Sequence, residues 1–498
     1  MSRRVRFVLI VWGFAAAFAA WSLRPRAAAA PPSRDVLAKN FDAGIRNLVI
    51  EWDGDDPRPP AERRAALFEF MYETYNASAW IPQSLFDTNI VTQAVVGDVD
   101  TIVRDRVGLV LWRDNPRVRA FGMAPNTDAA PGEPLKWTVN CLVCHTAEID
   151  GVAYFGAGTK TFDELWLGEA LRRLTKTSSE NEARNAHRIL TVHHHDKIDS
   201  LTRARSTAFA ASHVEMYMRS HGNRMPEAGD VGRGDVKTPP LWHTAAKMPA
   251  GRWYTDGSFH GRFPLMSSSM ELEKDRPFDA LVATVVPKIK TEFDSVISHV
   301  RPPRYPYAID AALAERGRRL FESSDVGCYR CHGTYDGRGG VDWPARHVDV
   351  GTDRGRLDVV SDQFVEAFRN SPLAADGALV KSRGYAATPL TGVWADFPYL
   401  HNGSVPTLHD LLGPASERPA IFQVTAARTL DRDRVGQPLY ADPSMARVGS
   451  AALIRRYGDN RDWFNTARPG CGNAGHDFWS VIKTDANRRA LIEYLKTL

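Results

Sequence analysis

One five-residue pattern occurs twice in this 498-residue chain, as Cys141-Leu-Val-Cys144-His145 and as Cys328-Tyr-Arg-Cys331-His332, and it uses four of the five cysteines. Cysteines three apart lie on one face of a helical turn, so each pair can grip one flat group at two points, with the next side chain beneath it. A disulfide framework is excluded, because five cysteines cannot staple a chain of this length and the fifth, Cys471, stands alone as a buried or semi-buried thiol. A redox pair needs no histidine, and a zinc site needs a second pair close by. C-x-x-C-H is the attachment signature of c-type haem, with a thioether from each cysteine and the histidine as axial ligand of the iron. Two complete copies imply two covalently bound haem c groups.

The rest of the composition sets limits on partners. Lys and Arg total 63 against 59 Asp and Glu, a net +4 with no basic run concentrated on one segment of the mature chain, which excludes a nucleic-acid footprint. Arg3, Arg4 and Arg6 precede an apolar run from Phe7 to Leu23, followed by Ala27 to Ala30 and Pro31-Pro32. This charged, apolar, small order reads as an export signal over residues 1–30, so the expected location is the periplasm or the medium. The run is a little short of the about 20 residues that span a bilayer. Arg24 and Arg26 beyond it leave retention of residues 7–23 as an inner-membrane anchor as the second reading, and that anchor would be the only membrane contact.

Leu67, Phe68, Met71, Tyr72 and Tyr75 recur at helical spacing and predict an amphipathic helix over 61–75. Further helices are expected over 162–174, 278–299, 309–321 and 485–498, the last capped by Thr484. Arg301-Pro-Pro-Arg-Tyr-Pro306 cannot continue a helix, and it divides the chain into an N-terminal haem domain with insertions (31–300) and a C-terminal cytochrome domain (301–498). Strand-like alternation is scarce. The expected fold is therefore mainly α, two cytochrome c-type haem domains with long loops.

Each motif is trailed by a related segment. Thr238-Pro-Pro-Leu-Trp242 leads to Asp256-Gly-Ser258, and Thr388-Pro-Leu390 with Trp394 leads to Asn402-Gly-Ser404. The copies differ in that His401 precedes Asn402 whereas Thr255 precedes Asp256, so the two halves are not expected to share one chemistry.

The sixth iron position decides whether a haem carries electrons or meets a small oxidant. After His332 the candidates are His476, in the Gly-rich loop Cys471-Gly-Asn-Ala-Gly475-His476, then His401 and Met445; His401 also reads as a residue steadying the turn at Asn402, and His409 as structural. Around the first haem, Trp242, Trp253, Tyr254, Phe259 and Phe263 read first as apolar haem packing. The sharper reading is a distal cavity of Trp242, Trp253 and Phe259 that leaves the iron open opposite His145. His243, His260, Met266 and Met270 compete with it as ligands. His193 to His195 reads as a solvated loop, since consecutive histidines point apart on any regular backbone.

With Ala314-Glu-Arg-Gly317-Arg-Arg-Leu320-Phe321 ahead of the second motif and Ala490-Leu-Ile-Glu-Tyr-Leu495 at the end, the second half resembles a class I cytochrome c domain with an insertion. Residues 31–498 resemble the di-haem cytochrome c peroxidase superfamily, notably from Thr388-Pro-Leu390 through Tyr399-Leu-His401-Asn-Gly-Ser404-Val-Pro-Thr-Leu408. Asn473-Ala-Gly475-His476 and Val139-Asn140 look more like its rubber oxygenase branch than its peroxide-reducing branch. The resemblance implies a first haem, at His145, with a free distal side for oxygen, and a second haem held by two histidines, matched here by His332 and His476. The expected activity is oxidoreduction at the N-terminal haem, either oxygenase cleavage of an apolar unsaturated substrate or reduction of hydrogen peroxide with electrons from a small cytochrome. A plain di-haem electron carrier is the non-enzymatic alternative.

Overall fold

The computed structural model describes residues 33–72, 81–82, 101–112, 120–125, 136–163, 202–207, 235–247, 257–261 and 291–498, the last without 338–339, 372–373 and 375–376, together with single positions 277, 280, 283 and 287. The export segment, most of the helix expected over 162–174, the run from His193 to His195, Trp253, Met266 and Met270 lie outside them. No helix among the described residues is long and apolar enough to cross a membrane.

The expectation of a mainly α chain is corrected by the sheets. Among the described residues eighteen strands form eight sheets of two or three strands each. Most are two to four residues long, too short to show alternation, and the best of them are buried on both faces. Strand β1 (Thr146–Ile149) and strand β2 (Val152–Phe155) make an antiparallel hairpin directly after the first motif, with Leu48–Val49 parallel on its outer edge. The hairpin turns on Asp150-Gly151, with φ of 49° and 78°. Two successive left-handed residues are what a two-residue hairpin loop demands, and Asp-Gly supplies them at low cost.

The helices expected over 309–321 and 485–498 are found within two residues of their bounds, the one over 61–75 is described only as far as residue 72, and the one over 278–299 is described before residue 291 only at three positions. Helix α1 (Pro60–Tyr72) buries Leu67, Phe68, Phe70, Met71 and Tyr72. Residues 291–295 are helical and lead into a tight turn at Ile297–His299. Helix α2 (Ala311–Glu322) opens on Asp310, whose carboxylate accepts from Ala312 and Leu313 N–H at 3.0 Å each. Helix α3 (Asp485–Lys496) opens on Thr484, whose hydroxyl accepts from Asn487 N–H at 3.2 Å. Glycine is costly in a helix interior, yet α2 needs Gly317, because a Cβ there would stand 1.9 Å from the Ala490 carbonyl oxygen of α3. Phe321 meets Tyr494 edge-on at 5.3 Å across the same crossing.

Two large apolar cores and two small ones stand out among the described residues. Of the large cores, one gathers Phe41, Tyr72, Trp112, Phe121, Leu142, Phe155 and Phe259 with Phe364 and Phe368, and Cys141 and Cys144 lie on its border. The other gathers Tyr154, Trp242, Phe321, Trp394, Leu491 and Tyr494, with Cys328 on its border. Strand β2 divides them, since Ala153 and Phe155 face the first core and Tyr154 the second. Each core mixes residues from before and after residue 301.

Candidate functional site

The C-terminal motif forms a single turn, Tyr329–His332, in which the His332 N–H donates to the Cys328 carbonyl at 3.0 Å. Gly333 ends the turn at φ 83°, and a Cβ there would meet the Asp342 carbonyl oxygen at 2.3 Å. Cys328 and Cys331 are half-buried and unbridged, and burial pushes the Cys328 thiol up to about 12. Tyr335 donates its hydroxyl to the His332 carbonyl at 2.7 Å and accepts the Leu390 N–H at 2.8 Å. The imidazole is aimed by the Thr388 carbonyl, 2.8 Å from Nδ1. That contact assigns a proton to Nδ1 and leaves Nε2 as the coordinating nitrogen, the usual outer-shell arrangement of a metal-bound histidine.

His332 and His476 face one another with ring centroids 6.1 Å apart and planes at 64°. An imidazole–metal–imidazole sandwich needs about 6 Å between centroids, from bonds of about 2 Å and a ring radius of about 1 Å on each side. The donor set therefore fits an iron between two histidines. His476 sits at φ 46° after Gly475 at φ 75°, and its N–H donates to the Val350 carbonyl at 2.8 Å. A Cβ on Gly475 would meet the Gly351 and Thr352 backbone at 2.3 Å, so the loop lies flat on that segment. Arg418, buried, ties the loop down by donating to the carbonyls of Asn473 (2.6 Å), Gly475 (2.7 Å) and His476 (3.1 Å). Burial, then His332 and Arg418, lower His476 to about 3. Burial also lowers His332, opposed by the Thr388 carbonyl. Both rings are thus neutral near pH 7, the form that binds a metal.

The other C-terminal candidates lie elsewhere. His401 stacks on Tyr385 at 3.8 Å with planes at 15°, and burial, then Arg356, lower it to about 3. Met445 packs on the Ile421, Leu453 and Trp463 cluster.

The N-terminal motif is a tight turn, Cys141–Val143, capped by Asn140, whose side chain accepts from Leu142 N–H at 3.0 Å and donates to the Met71 carbonyl of α1 at 2.9 Å. Gly122 lets the neighbouring strand hug this turn, since a Cβ there would stand 2.1 Å from the Val143 nitrogen. Cys141 and Cys144 are half-buried. His145 donates its N–H to the Cys141 carbonyl and accepts the Gly156 N–H at its own, both at 2.9 Å. Burial lowers its imidazole to about 4, opposed by the Pro239 backbone carbonyl. The two related segments differ at this point: the Thr388 carbonyl lies 2.8 Å from His332 Nδ1, whereas His145 Nδ1 is buried without a hydrogen-bond partner among the described residues.

Trp242 and Phe259 do not line one wall. Trp242 belongs to the second core, packed between Gly156 and Gly392. Phe259, fully buried, belongs to the first core and meets Phe368 edge-on at 6.1 Å. His243 is engaged by the Thr391 carbonyl, 2.9 Å from Nε2. Sequence reasoning missed Glu292, a buried carboxylate 4.0 Å from the Cys141 sulfur, and Arg418. The one sequence sign of Glu292 was a charge on the face that also carries Val296.

A family profile described as RoxA-like, cytochrome c-like matches residues 384–423, the stretch that carries the Thr388 carbonyl, His401 and Arg418. An uncharacterized protein of Sinorhizobium fredii, y4iM, is 30 % identical over 236 residues, covering 39 % of this chain and 51 % of its own length. Another from the same organism, y4iJ, is 27 % identical over 301 residues, covering 47 % of each chain. This chain therefore spans about half the length of the curated relatives it matches. Over residues 384–423 it is similar to a RoxA-like cytochrome c domain, and that similarity, with the attachment motifs, marks the protein as a haem cytochrome with covalently bound haem c.

Proposed function

We propose that the chain is an exported di-haem c-type oxidoreductase whose N-terminal haem does the chemistry and whose C-terminal haem stores or relays electrons. The observation that carries this reading is an asymmetry. His332 faces a second imidazole at 6.1 Å, whereas among the described residues His145 meets none. Cys141, Cys144 and His145 would hold the first haem, and Cys328, Cys331, His332 and His476 the second. When bound, haem iron supplies one-electron storage where two protein ligands hold it, and an open position for a small oxidant where one does.

The protein's own groups then have distinct tasks. The Thr388 carbonyl and the Arg418 clamp hold two imidazoles in one line, which resists ligand exchange. The buried turn around Asn140 and hairpin β1–β2 hold His145, and the apolar wall at Phe259 and Phe368 excludes water on the side of the first core. An apolar, unsaturated substrate suits such a wall, so oxygenase chemistry of the rubber oxygenase type is the first reading. Peroxide reduction, with a small cytochrome as donor, is the second, and Glu292 favours it, because that route needs a group to move the peroxide proton. Export to the periplasm or medium, with residues 7–23 cleaved or kept as an anchor, rests on the charged, apolar, small order of the N-terminus.

Carbon monoxide added to the reduced protein tests the reading. One haem of two should bind it, His145→Ala should abolish the signal, and His476→Ala should open a second site. If neither haem binds it, the electron carrier stands and both enzyme readings fail. Oxygen uptake with polyisoprene, against turnover of hydrogen peroxide with a reduced cytochrome, then separates the two branches.

A further inference from the structure

Three buried lysines act on one carboxylate, Asp396. Lys160, Lys237 and Lys247 are 3 %, 9 % and 5 % exposed. Lys160 donates to the Ala395 carbonyl at 2.7 Å and lies over the Phe397 ring at 4.7 Å. Lys237 pairs with the Asp396 carboxylate at 2.8 Å. Lys247 has no hydrogen bond or ion pair among the described residues. It lies one helical turn beyond His243, on the same face, and His243 Nδ1 is also buried without a partner.

Burial lowers all three ammonium groups, Lys160 to about 7 and Lys247 to about 8, and Asp396 is the carboxylate that opposes the shift in each. Among the described residues one carboxylate faces three buried ammonium groups, and an uncompensated buried charge is strongly unfavourable. The cluster calls for further carboxylates. Each haem carries two propionates, and the surroundings of the lysines point to the first haem. Lys160 follows Thr159, whose N–H donates to the Cys144 carbonyl at 2.7 Å. The 244–247 helix packs on the Ile297–His299 turn, just beyond Glu292, which lies 4.0 Å from the Cys141 sulfur.

We propose that Lys247, with Lys237 and Lys160 beside it, binds the propionate carboxylates of the haem attached at Cys141 and Cys144. The inference rests on the cytochrome reading and assigns the haem's charged edge to the lysine cluster. Removing a cation beside a propionate favours the ferric state, so Lys247→Met should shift the oxidation equilibrium of that haem about tenfold, which for one electron is about 59 mV downward. Lys247→Arg should restore most of the shift. The propionate bending bands in the resonance Raman spectrum should move in Lys247→Met and stay in Lys247→Arg, which a loss of packing alone would not produce.

The experiment uses the loaded, full-length protein, with haem content measured first. Absence of covalent haem in the wild type overturns the cytochrome reading itself. Two bound haems with unchanged Raman bands and potentials in Lys247→Met overturn the lysine assignment alone. If Lys247→Met does not accumulate, a crystal structure of the loaded wild type decides. The Lys247 nitrogen should lie within salt-bridge distance of a propionate, about 4 Å, and a longer separation overturns the assignment.

Discussion

The two attachment motifs have one spacing and two different settings. The C-terminal motif sits beside a crossing of two long helices, and its histidine is reached by a contiguous chain of contacts from Tyr494 through Phe321 and Tyr335 to the His332 carbonyl. The N-terminal motif has no such crossing among the described residues. It is held by a hairpin, a capped turn and polar ties, with Asn140 fixed to Met71 and Gly156 to His145. Where a second imidazole must be held in line, the surroundings are rigid and redundant. Around the N-terminal motif, the fixed contacts gather on the side that carries His145. One motif spacing thus stands in two different scaffolds.

The largest effect should come from breaking the helix crossing. Gly317→Val would force α2 and α3 apart at a contact where even a Cβ stands 1.9 Å from the Ala490 carbonyl oxygen. Overpacking of this kind costs about 3 kcal/mol. The His332 haem should lose its low-spin spectrum at lower denaturant than the wild type, while the carbon monoxide adduct at His145 persists. Simultaneous loss of both signals would mean the two settings are not independent. Arg418→Met is next. It frees the carbonyls of Asn473, Gly475 and His476 at a cost of about 2 kcal/mol for buried groups left unsatisfied. A fraction of the second haem should become high-spin at ambient temperature. An unchanged spectrum would show that Gly475 and the Val350 contact hold His476 unaided.

The difference between the centres also governed what the sequence could reveal. Helices α2 and α3 were legible because their apolar stripes, and for α3 the Thr484 cap, are local signals, whereas the Asp310 cap of α2 was not read and that helix was expected to start at residue 309. His476 was legible as a candidate because a Gly-rich loop before a terminal helix can present a side chain. The sheets were not legible, because strands such as β1 are buried on both faces and carry no alternation, although Asp150-Gly151 is a hairpin signal in its own right. The lysine cluster was invisible for another reason. Lys160, Lys237, Lys247 and Asp396 are brought together by tertiary packing, and nothing in their spacing announces it. The same holds for Trp242 and Phe259, which look like one aromatic wall in sequence and belong to two cores in space.

The smallest effect isolates the polar side of the comparison. Asp56 accepts from Arg58 Nε at 2.9 Å, from its Nη2 at 2.8 Å and from its backbone N–H at 3.0 Å, while Nη1 donates to the Ser295 carbonyl at 2.7 Å. This tie fastens the segment ahead of α1 to the one that carries Glu292, three residues before Ser295. The Arg58 guanidinium holds the Asp56 carboxyl well below its ordinary value of 3.8, against the effect of burial. A carboxyl lowered on folding stabilises above its unfolded value, and the contribution is lost as pH falls through the folded one. Wild type should therefore exceed Asp56→Asn by about 1 kcal/mol near neutral pH, and the gap should narrow below about pH 4. Denaturation followed at the His145 haem should report the gap, and denaturation followed at the His332 haem should not. An equal gap at both haems would make the tie a property of the whole molecule and remove it from the contrast between the two centres.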